Sequence, residues 1–367
     1  MKLTAHMTTG RAAVEVFDSL LPPEELFGFA ERRNPKRAFL FVSKVLGRYV
    51  PVCPLVMRQT YVQLVANLPA ALPGPVVVIG MAETAIGMGA GVHDALWRDD
   101  ALYLPTTRHP LNDELLAHFK EEHSHATHQL IHMPADAAHR DMLFGAKTLI
   151  LVDDEATTGK TLHNLALALR DRGISPRRIV CTFLTDWSDG KAAAAVAGVF
   201  PEAVVTSTAL ANGRYSWTPS NNVALSQLPD DVAEQGRYDL THNPDWGRLG
   251  LTQNRRMLTA DAVVGRRTLV LGTSEFVWQP FLLAERLAEA GEDVRFAAVG
   301  RSPIFKGLMI TDLIRCHDNY GLGLPNYLYN VDPAAYDRII LCVETPADSV
   351  DPVLIDALQP QVISLYD

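Results

Sequence analysis

The sequence lacks most of the features that mark zinc-binding, disulfide-stabilised or membrane-spanning proteins. It has four cysteines in 367 residues, at positions 53, 181, 316 and 342, and they show no paired spacing. Such scattered cysteines argue against a zinc site or a disulfide framework and favour reduced thiols in the core. No stretch reaches the roughly 18 uninterrupted apolar residues that a membrane-spanning helix needs, and the first residues lack the apolar core of a signal peptide. We therefore expect no membrane partner and a cytoplasmic location.

The chain also lacks an excess of positive charge. Lys and Arg number 33 against 42 Asp and Glu, and the formal net charge is −9. A nucleic-acid partner requires a basic face, so the composition disfavours one, and an anionic substrate must be held by local positive groups. Apolar residues make up 48% and charged residues 20%, as in globular proteins, and the length predicts two domains.

The most informative segment is residues 148–161, with the sequence TLILVDDEATTGKT. Its apolar run at 149–152 predicts a buried parallel strand, and apolar residues at helical spacing from 162 to 169 predict a helix. The turn between them has backbone N–H groups without helical partners, the positive end of a helix dipole and three threonine hydroxyls, which together favour a phosphate. Asp153 and Asp154 would repel that phosphate, so we expect them to face neutral hydroxyls or a cation. A ribose diol with Mg²⁺ meets both needs.

Two nucleotide-binding motifs match this segment only in part. A Walker loop needs glycine five residues before Gly159, where the chain has Asp154, and no Gly-x-Gly-x-x-Gly follows the strand. The remaining alternative is an ordinary strand-to-helix turn with an aspartate cap. A cap does not require two acids and three threonines around one glycine, so the sugar-phosphate interpretation is favoured.

Residues 152–161 resemble the phosphoribosyl pyrophosphate (PRPP) loop of type I phosphoribosyltransferases, especially the orotate-like ones. The resemblance implies an α/β fold with a central parallel sheet, PRPP as co-substrate and Mg²⁺ as cofactor. It also implies that Asp153 and Asp154 hold the ribose 2′- and 3′-hydroxyls and, directly or indirectly, the metal. The 5′-phosphate would be held by the residues of the following turn, namely Ala156, Thr157, Thr158, Gly159, Lys160 and Thr161.

A second predicted strand, residues 75–80, ends in another tight turn. In the resembling family the corresponding loop offers backbone N–H groups to pyrophosphate, which makes Met81, Ala82, Glu83 and Thr84 the candidates. The alternative is that the glycines just after this turn, at 87, 89 and 91, only allow close helix packing. Arg108 follows a third short strand and could bind a pair of phosphate oxygens with its forked guanidinium.

Residues 119–126 are polar, charged and without periodicity, as expected of a segment over an active site. Orotate-type enzymes carry their flexible catalytic loop here, so the resemblance assigns leaving-group stabilisation to Lys120, His123 and His125. The histidines between 123 and 139 leave metal binding open as an alternative. None of them pairs with another at zincin spacing beside a carboxylate.

The second half of the chain repeats the first in outline. A strand-end glycine precedes an arginine at nearly the same spacing in both halves, from Gly80 to Arg108 in the first and from Gly272 to Arg301 in the second. The same glycines precede the last valine of a third strand, Val152 or Val343, again at almost equal spacing. We hypothesise that the second half is a degenerate copy, although any two doubly wound domains share similar spacing.

The second half also carries a resemblance of its own. Glu275 together with residues 300–303 is similar to the TRSP domain that follows an orotate-type transferase domain in proteins of tellurium-resistance and related stress operons. Gly300 stands where that motif has threonine. Residues 34–47 look like the amino-terminal segment of the same group. The candidate residues in this domain are Glu275, Arg301 and Ser302.

The expected organisation is an extension (1–29), a type I phosphoribosyltransferase domain (30–210), a connector (211–262) and a second α/β domain (263–367). Trp217 in the connector would either stack on a base or pack against the surface it crosses. The expected reaction forms or reversibly cleaves an N-glycosidic bond between PRPP and a base-like acceptor, in a nucleoside-like metabolite or stress pathway. A PRPP-sensing regulator or a scaffold protein on the same fold is the alternative. Both a homodimer and an intramolecular pseudo-dimer remain open.

Overall fold

The structure is a computed structural model that describes residues 1–32, 34, 37–120, 128–220, 236–242 and 245–366. His123 and His125 lie outside these residues. In the described part of the chain, no helix is both long enough and apolar enough to cross a membrane.

The first half is built around a seven-stranded sheet with helices on both faces. Its elements in chain order are β1 (Lys2–Met7), β2 (Gly10–Ser19), α1 (Pro23–Leu26), β3 (Phe27–Glu31), β4 (Phe39–Ser43), α2 (Pro54–Ala66), β5 (Val76–Gly80), α3 (Ile86–Ala95), β6 (Ala101–Tyr103), β7 (Leu115–Lys120), β8 (His128–His132), α4 (Ala137–Phe144), β9 (Thr148–Ala156), α5 (Lys160–Asp171), β10 (Arg178–Asp186), α6 (Lys191–Val199) and β11 (Val204–Pro219). The strand order is β1-β2-β11-β10-β9-β5-β6, and the five strands from β11 to β6 are parallel. The predicted central parallel sheet is confirmed.

The second half forms a smaller parallel sheet. Its elements are β12 (Arg267–Thr273), α7 (Trp278–Glu289), β13 (Asp293–Val299), β14 (Leu313–His317), β15 (Pro325–Tyr329), β16 (Arg338–Val343), α8 (Pro352–Leu358) and β17 (Gln361–Ser364). The strand order is β13-β12-β16-β17, and every neighbouring pair is parallel. The second α/β domain is therefore confirmed as well.

The local patterns explain the central elements. All five residues of β5 and the first five of β9 are buried, because helices cover both faces of the parallel strands. The buried residues of α5 are the apolar set that its helical spacing predicts, Leu162, Leu165, Ala166 and Leu169. Strand and helix therefore fix the turn between them at the carboxyl edge of the sheet.

Residues 211–219, which the sequence analysis assigns to the connector between the domains, are in a strand. They form the end of β11, which pairs with β10 on one side and antiparallel with β2 on the other. The partner strand β2 lies near the start of the chain, so no local pattern reveals the pairing. The Trp217 ring lies 4.9 Å from the Phe39 ring, which supports its packing role.

The two halves share one hydrophobic core. Helix α2 packs on α7, where the Tyr61 ring lies 5.5 Å from the Phe281 ring. Arg58 of α2 also forms a forked ion pair with Glu285 of α7, at 2.6 and 3.0 Å. The second half is thus built against the first rather than tethered to it.

Candidate active site

Two of the predicted loops meet because their strands are neighbours in the sheet. Gly80 at the end of β5 pairs with Val152 of β9, and the Met81 N–H donates to the Val152 carbonyl at 3.0 Å. A cleft that opens to solvent lies over this edge. It is lined by residues 81–84 after β5 and by residues 153–159 around the end of β9. The structure therefore brings both sequence-predicted loops into one site.

The turn before α5 depends on Gly159. This residue has φ of +75°, and a Cβ there would lie 2.5 Å from Cα of Ala192 in α6. Glycine is thus required both by the left-handed backbone and by the close approach of α6. Thr157, Thr158 and Thr161 line the cleft beside it, where the first turn of α5 has N–H groups without helical partners.

One of the two aspartates of this loop, Asp154, differs from an ordinary surface carboxylate. Burial and the neighbouring charge of Glu155 raise the pKa of Asp154 to about 7. Glu155 itself forms an ion pair with Arg37, and the Asp154 N–H donates to Asp153 at 3.0 Å. A cation or a hydrogen-bond donor in the cleft would stabilise the charged form of Asp154.

The carboxylates of Asp153 and Asp154 suit a magnesium ion that arrives with its ligand. In the described part of the chain, no three His, Cys, Asp or Glu side chains are grouped closely enough to hold a metal. Mg²⁺ prefers oxygen ligands and is usually bound by one or two carboxylates together with phosphate oxygens and water. The donor set therefore fits a magnesium–phosphate complex and not a metal held by protein alone.

The turn after β5 is held in place by hydrogen bonds to buried side chains. The Ala82 N–H donates to Thr106 Oγ1 at 2.7 Å, and the Ala82 carbonyl accepts from Gln129 Nε2 at 2.6 Å. This amide is therefore already engaged, which removes it from the predicted set of free donors. A Cβ at Gly89 would lie 2.6 Å from Cα of Gly80, so the glycines after the turn do serve close packing.

The loop with Arg108 is held by the second half of the chain. Glu275, which is 1% exposed, accepts from Thr107 Oγ1 at 2.5 Å and from the Arg108 N–H at 2.7 Å. Burial alone would raise the pKa of Glu275, but the nearby His109 and Arg248 together with these hydrogen bonds outweigh it and lower the pKa to about 2. Arg108 lines the cleft and its Nη2 donates to the Ala82 carbonyl at 3.3 Å.

Arg301 and Ser302 of the second half line the same cleft. Arg301 Nη2 lies 3.2 Å from His109 Nε2. Because arginine can only donate, the imidazole nitrogen accepts, and this requires a neutral ring. Burial lowers the pKa of His109 well below its usual range, which keeps the ring in that form. The neutral histidine thereby orients Arg301.

Three predicted residues lie elsewhere. Among the described residues, those that line the cleft do not include Lys120, Lys160 or Glu275. Lys120 is exposed at the end of β7, where its carbonyl accepts from Asn164 Nδ2 at 2.8 Å. Lys160 is exposed because the first turn of α5 directs it away from the buried face, and Glu275 lies behind the Arg108 loop.

The cleft also contains arginines that the motifs did not identify. Arg32, Arg37 and Arg48 line it with Arg108 and Arg301, against four carboxylates at positions 83, 153, 154 and 155. A basic run around residues 32–37 within an acidic chain is the only sequence signal for Arg32 and Arg37, and no such run marks Arg48. The cleft thus has a local positive excess that suits an anionic ligand.

Comparison with known proteins identifies the two halves. Residues 26–214 match a family described as phosphoribosyl transferase, and residues 234–358 match the TRSP domain that lies C-terminal to it. Among proteins with curated descriptions, none matches the chain.

Solved structures with similarity to the chain are also phosphoribosyltransferases. The adenine enzyme of Trypanosoma brucei, solved with AMP, pyrophosphate and ribose-5-phosphate, is 11% identical, with 47% of this chain and 70% of that chain covered and a TM-score of 0.32. The orotate enzyme of Aeropyrum pernix is 17% identical, with 48% and 80% covered and a TM-score of 0.30. The first family match alone spans more than half of the sequence. The chain therefore belongs to the phosphoribosyl transferase family, with a TRSP domain as its second half.

Proposed function

We propose that this protein is an enzyme that transfers the ribose 5-phosphate group of PRPP to a base-like acceptor, or runs the exchange in reverse. One observation carries the proposal: the turns after β5 and β9 line a single cleft that also contains five arginines. A sugar with a phosphate at one end and a diphosphate at the other needs both turns at once.

The turn before α5 would bind the ribose 5-phosphate part. Thr157, Thr158, Gly159 and Thr161 supply hydroxyl and backbone donors to the 5′-phosphate at the positive end of the helix dipole. Asp153 and Asp154 accept from the two ribose hydroxyls, which is a neutral contact next to an anionic one. With the 5′-phosphate on the turn before α5 and the ribose hydroxyls on the two aspartates, the ribose C1 would face residues 81–84 and Arg108.

The chemistry would then be a displacement at C1. The bond from C1 to the diphosphate oxygen breaks and the electron pair leaves with pyrophosphate. The acceptor nitrogen forms the new bond with its lone pair and releases its proton to solvent. The transition state resembles an oxocarbenium ion, so positioning and charge stabilisation are the main requirements on the protein. Arg108 binds the departing oxygens, and Asp153 with Asp154 would hold Mg²⁺, which neutralises diphosphate charge when bound.

The alternative is a PRPP-sensing protein without turnover, and the position of Lys120 favours it, since this residue does not line the cleft. Lys120→Ala tests the role that the family resemblance assigns to this residue: an enzyme in which Lys120 stabilises the leaving group should lose about 100-fold in turnover while PRPP still binds. Unchanged turnover would remove Lys120 from the mechanism. A sensor would bind PRPP and release no pyrophosphate with any acceptor.

The test is calorimetric titration of PRPP in the presence of Mg²⁺, followed by a pyrophosphate-release assay with a panel of purine and pyrimidine bases. Asp153→Asn with Asp154→Asn should weaken PRPP binding at least about 10-fold, since two charged acceptors are lost. Asp171→Asn, an exposed position at the end of α5, is the matched control. Equal PRPP affinity in the wild type and the double variant would reject the proposed site.

A further inference from the structure

We propose that the second half of the chain is an internal copy that acts as a built-in partner for the first. In this proposal Arg248 fills the second half's own substrate position, and Arg301 completes the first half's cleft by binding the diphosphate of the substrate. The identity of that ligand rests on the proposed function; the relation between the halves does not.

Four strands of the first half's sheet lie in the same order as the four strands of the second half's sheet. Numbered by their order along the chain, β5, β6, β9 and β10 lie in the order 2-1-3-4, and so do β12, β13, β16 and β17. Each half also inserts an antiparallel hairpin between its second and third strands, β7–β8 in the first and β14–β15 in the second. Different orders would have excluded a copy.

The pairing registers agree residue by residue. In the first half Val78 pairs with Tyr103, and in the second half Val270 pairs with Phe296. In both halves the valine lies two residues before the strand-end glycine, and its partner lies five residues before the arginine. The residue just before the arginine, Thr107 or Gly300, bridges to the second hairpin strand through two backbone hydrogen bonds. Similar spacing alone would not reproduce these pairings.

The third strand gives the equivalence that matters most. Ile79 pairs with Leu151 in the first half, and Leu271 pairs with Leu341 in the second. The strand-end glycine comes directly after Ile79 in one half and directly after Leu271 in the other. Counting three residues on from each leucine makes Glu344 equivalent to Asp154. The alignment through the valines, which places Glu344 at Asp153, is therefore shifted by one residue.

The halves contact each other reciprocally, as two subunits do across a twofold axis. Glu275 of the second half holds the Arg108 loop of the first. The equivalent Glu83 of the first half lies beside the Arg301 loop of the second, since a Cβ at Gly300 would lie 3.0 Å from Glu83 Oε1. Helices α3 and α7, which follow the matched strands β5 and β12, also pack together.

The substrate position of the second half is occupied by its own chain. Arg248, 4% exposed, donates to Glu275 Oε2 at 3.1 Å and also to Glu344. Trp246 Nε1 and the Tyr320 hydroxyl donate to Glu344 at 2.8 and 2.7 Å. The first-half equivalents of these two glutamates, Glu83 and Asp154, both line the open cleft. A guanidinium thus bridges the turns between which the first half leaves space for a ligand.

The second half nevertheless contributes to the first half's cleft. Arg301, the equivalent of Arg108, lines it together with Arg108, so two matching arginines reach one site from opposite halves. A diphosphate carries more charge than one arginine neutralises, and each guanidinium can bind phosphate oxygens in a forked manner. This geometry assigns diphosphate binding to the pair.

The test is calorimetry on the full chain with three probes in Mg²⁺ buffer: PRPP, pyrophosphate and ribose 5-phosphate. The wild type should bind one PRPP per chain. Arg301→Ala should weaken PRPP and pyrophosphate about 10-fold or more, as expected for a lost charge-assisted contact, and leave ribose 5-phosphate affinity within about twofold. Arg295→Ala, at a partly exposed arginine of β13 that pairs with Asp293, is the control, and Arg301→Lys should recover part of the affinity.

Each outcome has a separate meaning. Two PRPP molecules per chain would show that the second site is open, and an unchanged pyrophosphate affinity in Arg301→Ala would remove Arg301 from the site; either result overturns the inference. Equal loss for all three probes would indicate a structural role and also overturns it. A wild type that binds none of the probes would instead reject the proposed function.

Discussion

In the first half, the turns after β5 and β9 leave a cleft open to solvent, whereas in the second half the turns after β12 and β16 close around Arg248. The strand frames are alike, so the difference arises in the turns. The first has two acids and a threonine-rich turn that leads directly into α5, and the second has one acid followed by Thr345 and Pro346. The same frame thus supports either a ligand site or a buried ionic network.

The largest effect on stability should come from removing Arg248, which occupies the space between the turns after β12 and β16; we call this the closed site. Arg248→Ala would leave Glu275 and Glu344 buried without their cation, and such a loss typically costs about 3–5 kcal/mol. The free energy of unfolding from urea titration measures the cost. Adding Glu344→Gln should recover part of the loss, because it removes an uncompensated buried charge.

Arg267→Ala is the control for this change, since Arg267 pairs with Asp337 at 2.6 Å on the surface of the same half. Exposed pairs contribute about 0–1 kcal/mol. If Arg248→Ala costs no more than this control, the closed site does not stabilise the second half.

An intermediate effect on stability should come from Asp154, the residue of the open cleft that is equivalent to Glu344. The pKa of Asp154 is raised to about 7, so the folded protein binds a proton there more tightly than the unfolded chain does. Between about pH 4 and 7 this group makes stability fall as pH rises, and above pH 7 its full cost remains. Asp154→Asn should therefore raise the free energy of unfolding at pH 8 by about 1–3 kcal/mol, and by less at pH 5. Thermal unfolding at both pH values measures the difference.

The same titration should appear in ligand binding. Because the charged form of Asp154 accepts the ribose hydroxyl and suits Mg²⁺, PRPP affinity of the wild type should rise between pH 6 and 8. Asp171→Asn is again the control. A stability gain in Asp154→Asn that does not change with pH would contradict the assigned pKa.

The smallest effect concerns the reciprocal contacts. Thr107→Val removes the hydroxyl that donates to Glu275 and should cost about 1–2 kcal/mol, because a buried carboxylate loses a donor. At the equivalent position, Gly300→Thr would place a hydroxyl near the Glu83 carboxylate, which already pairs with Arg48, and should change stability by less than about 1 kcal/mol. Urea unfolding of both variants compares them, and equal costs would argue against reciprocal roles.

The parts of the fold and site that the sequence predicts are those encoded locally. The apolar run of β9, the helical spacing of α5 and the acids and threonines between them form one short continuous segment, and both elements form where expected. Gly159 lies in the same segment, and its positive φ is a feature that the structure adds.

What the sequence could not reveal depends on distant partners. The pairing of β2 with β11, the contribution of Arg37 and Arg48 to the cleft, and the capture of Glu344 by Arg248 each join segments that lie far apart in the chain. The equivalence of Glu344 to Asp154 was likewise hidden, since sequence spacing suggested a register that strand pairing corrects.

The junction of α2 with α7 has a consequence for how the protein responds to dilution. Subunits that lend residues to each other separate at low concentration, but Arg58 and Glu285 belong to one polypeptide. The contacts across the junction are therefore governed by an effective molarity that the linking chain sets, not by how many copies a cell contains. Arginines from both halves thus remain at the cleft even when the protein concentration is low.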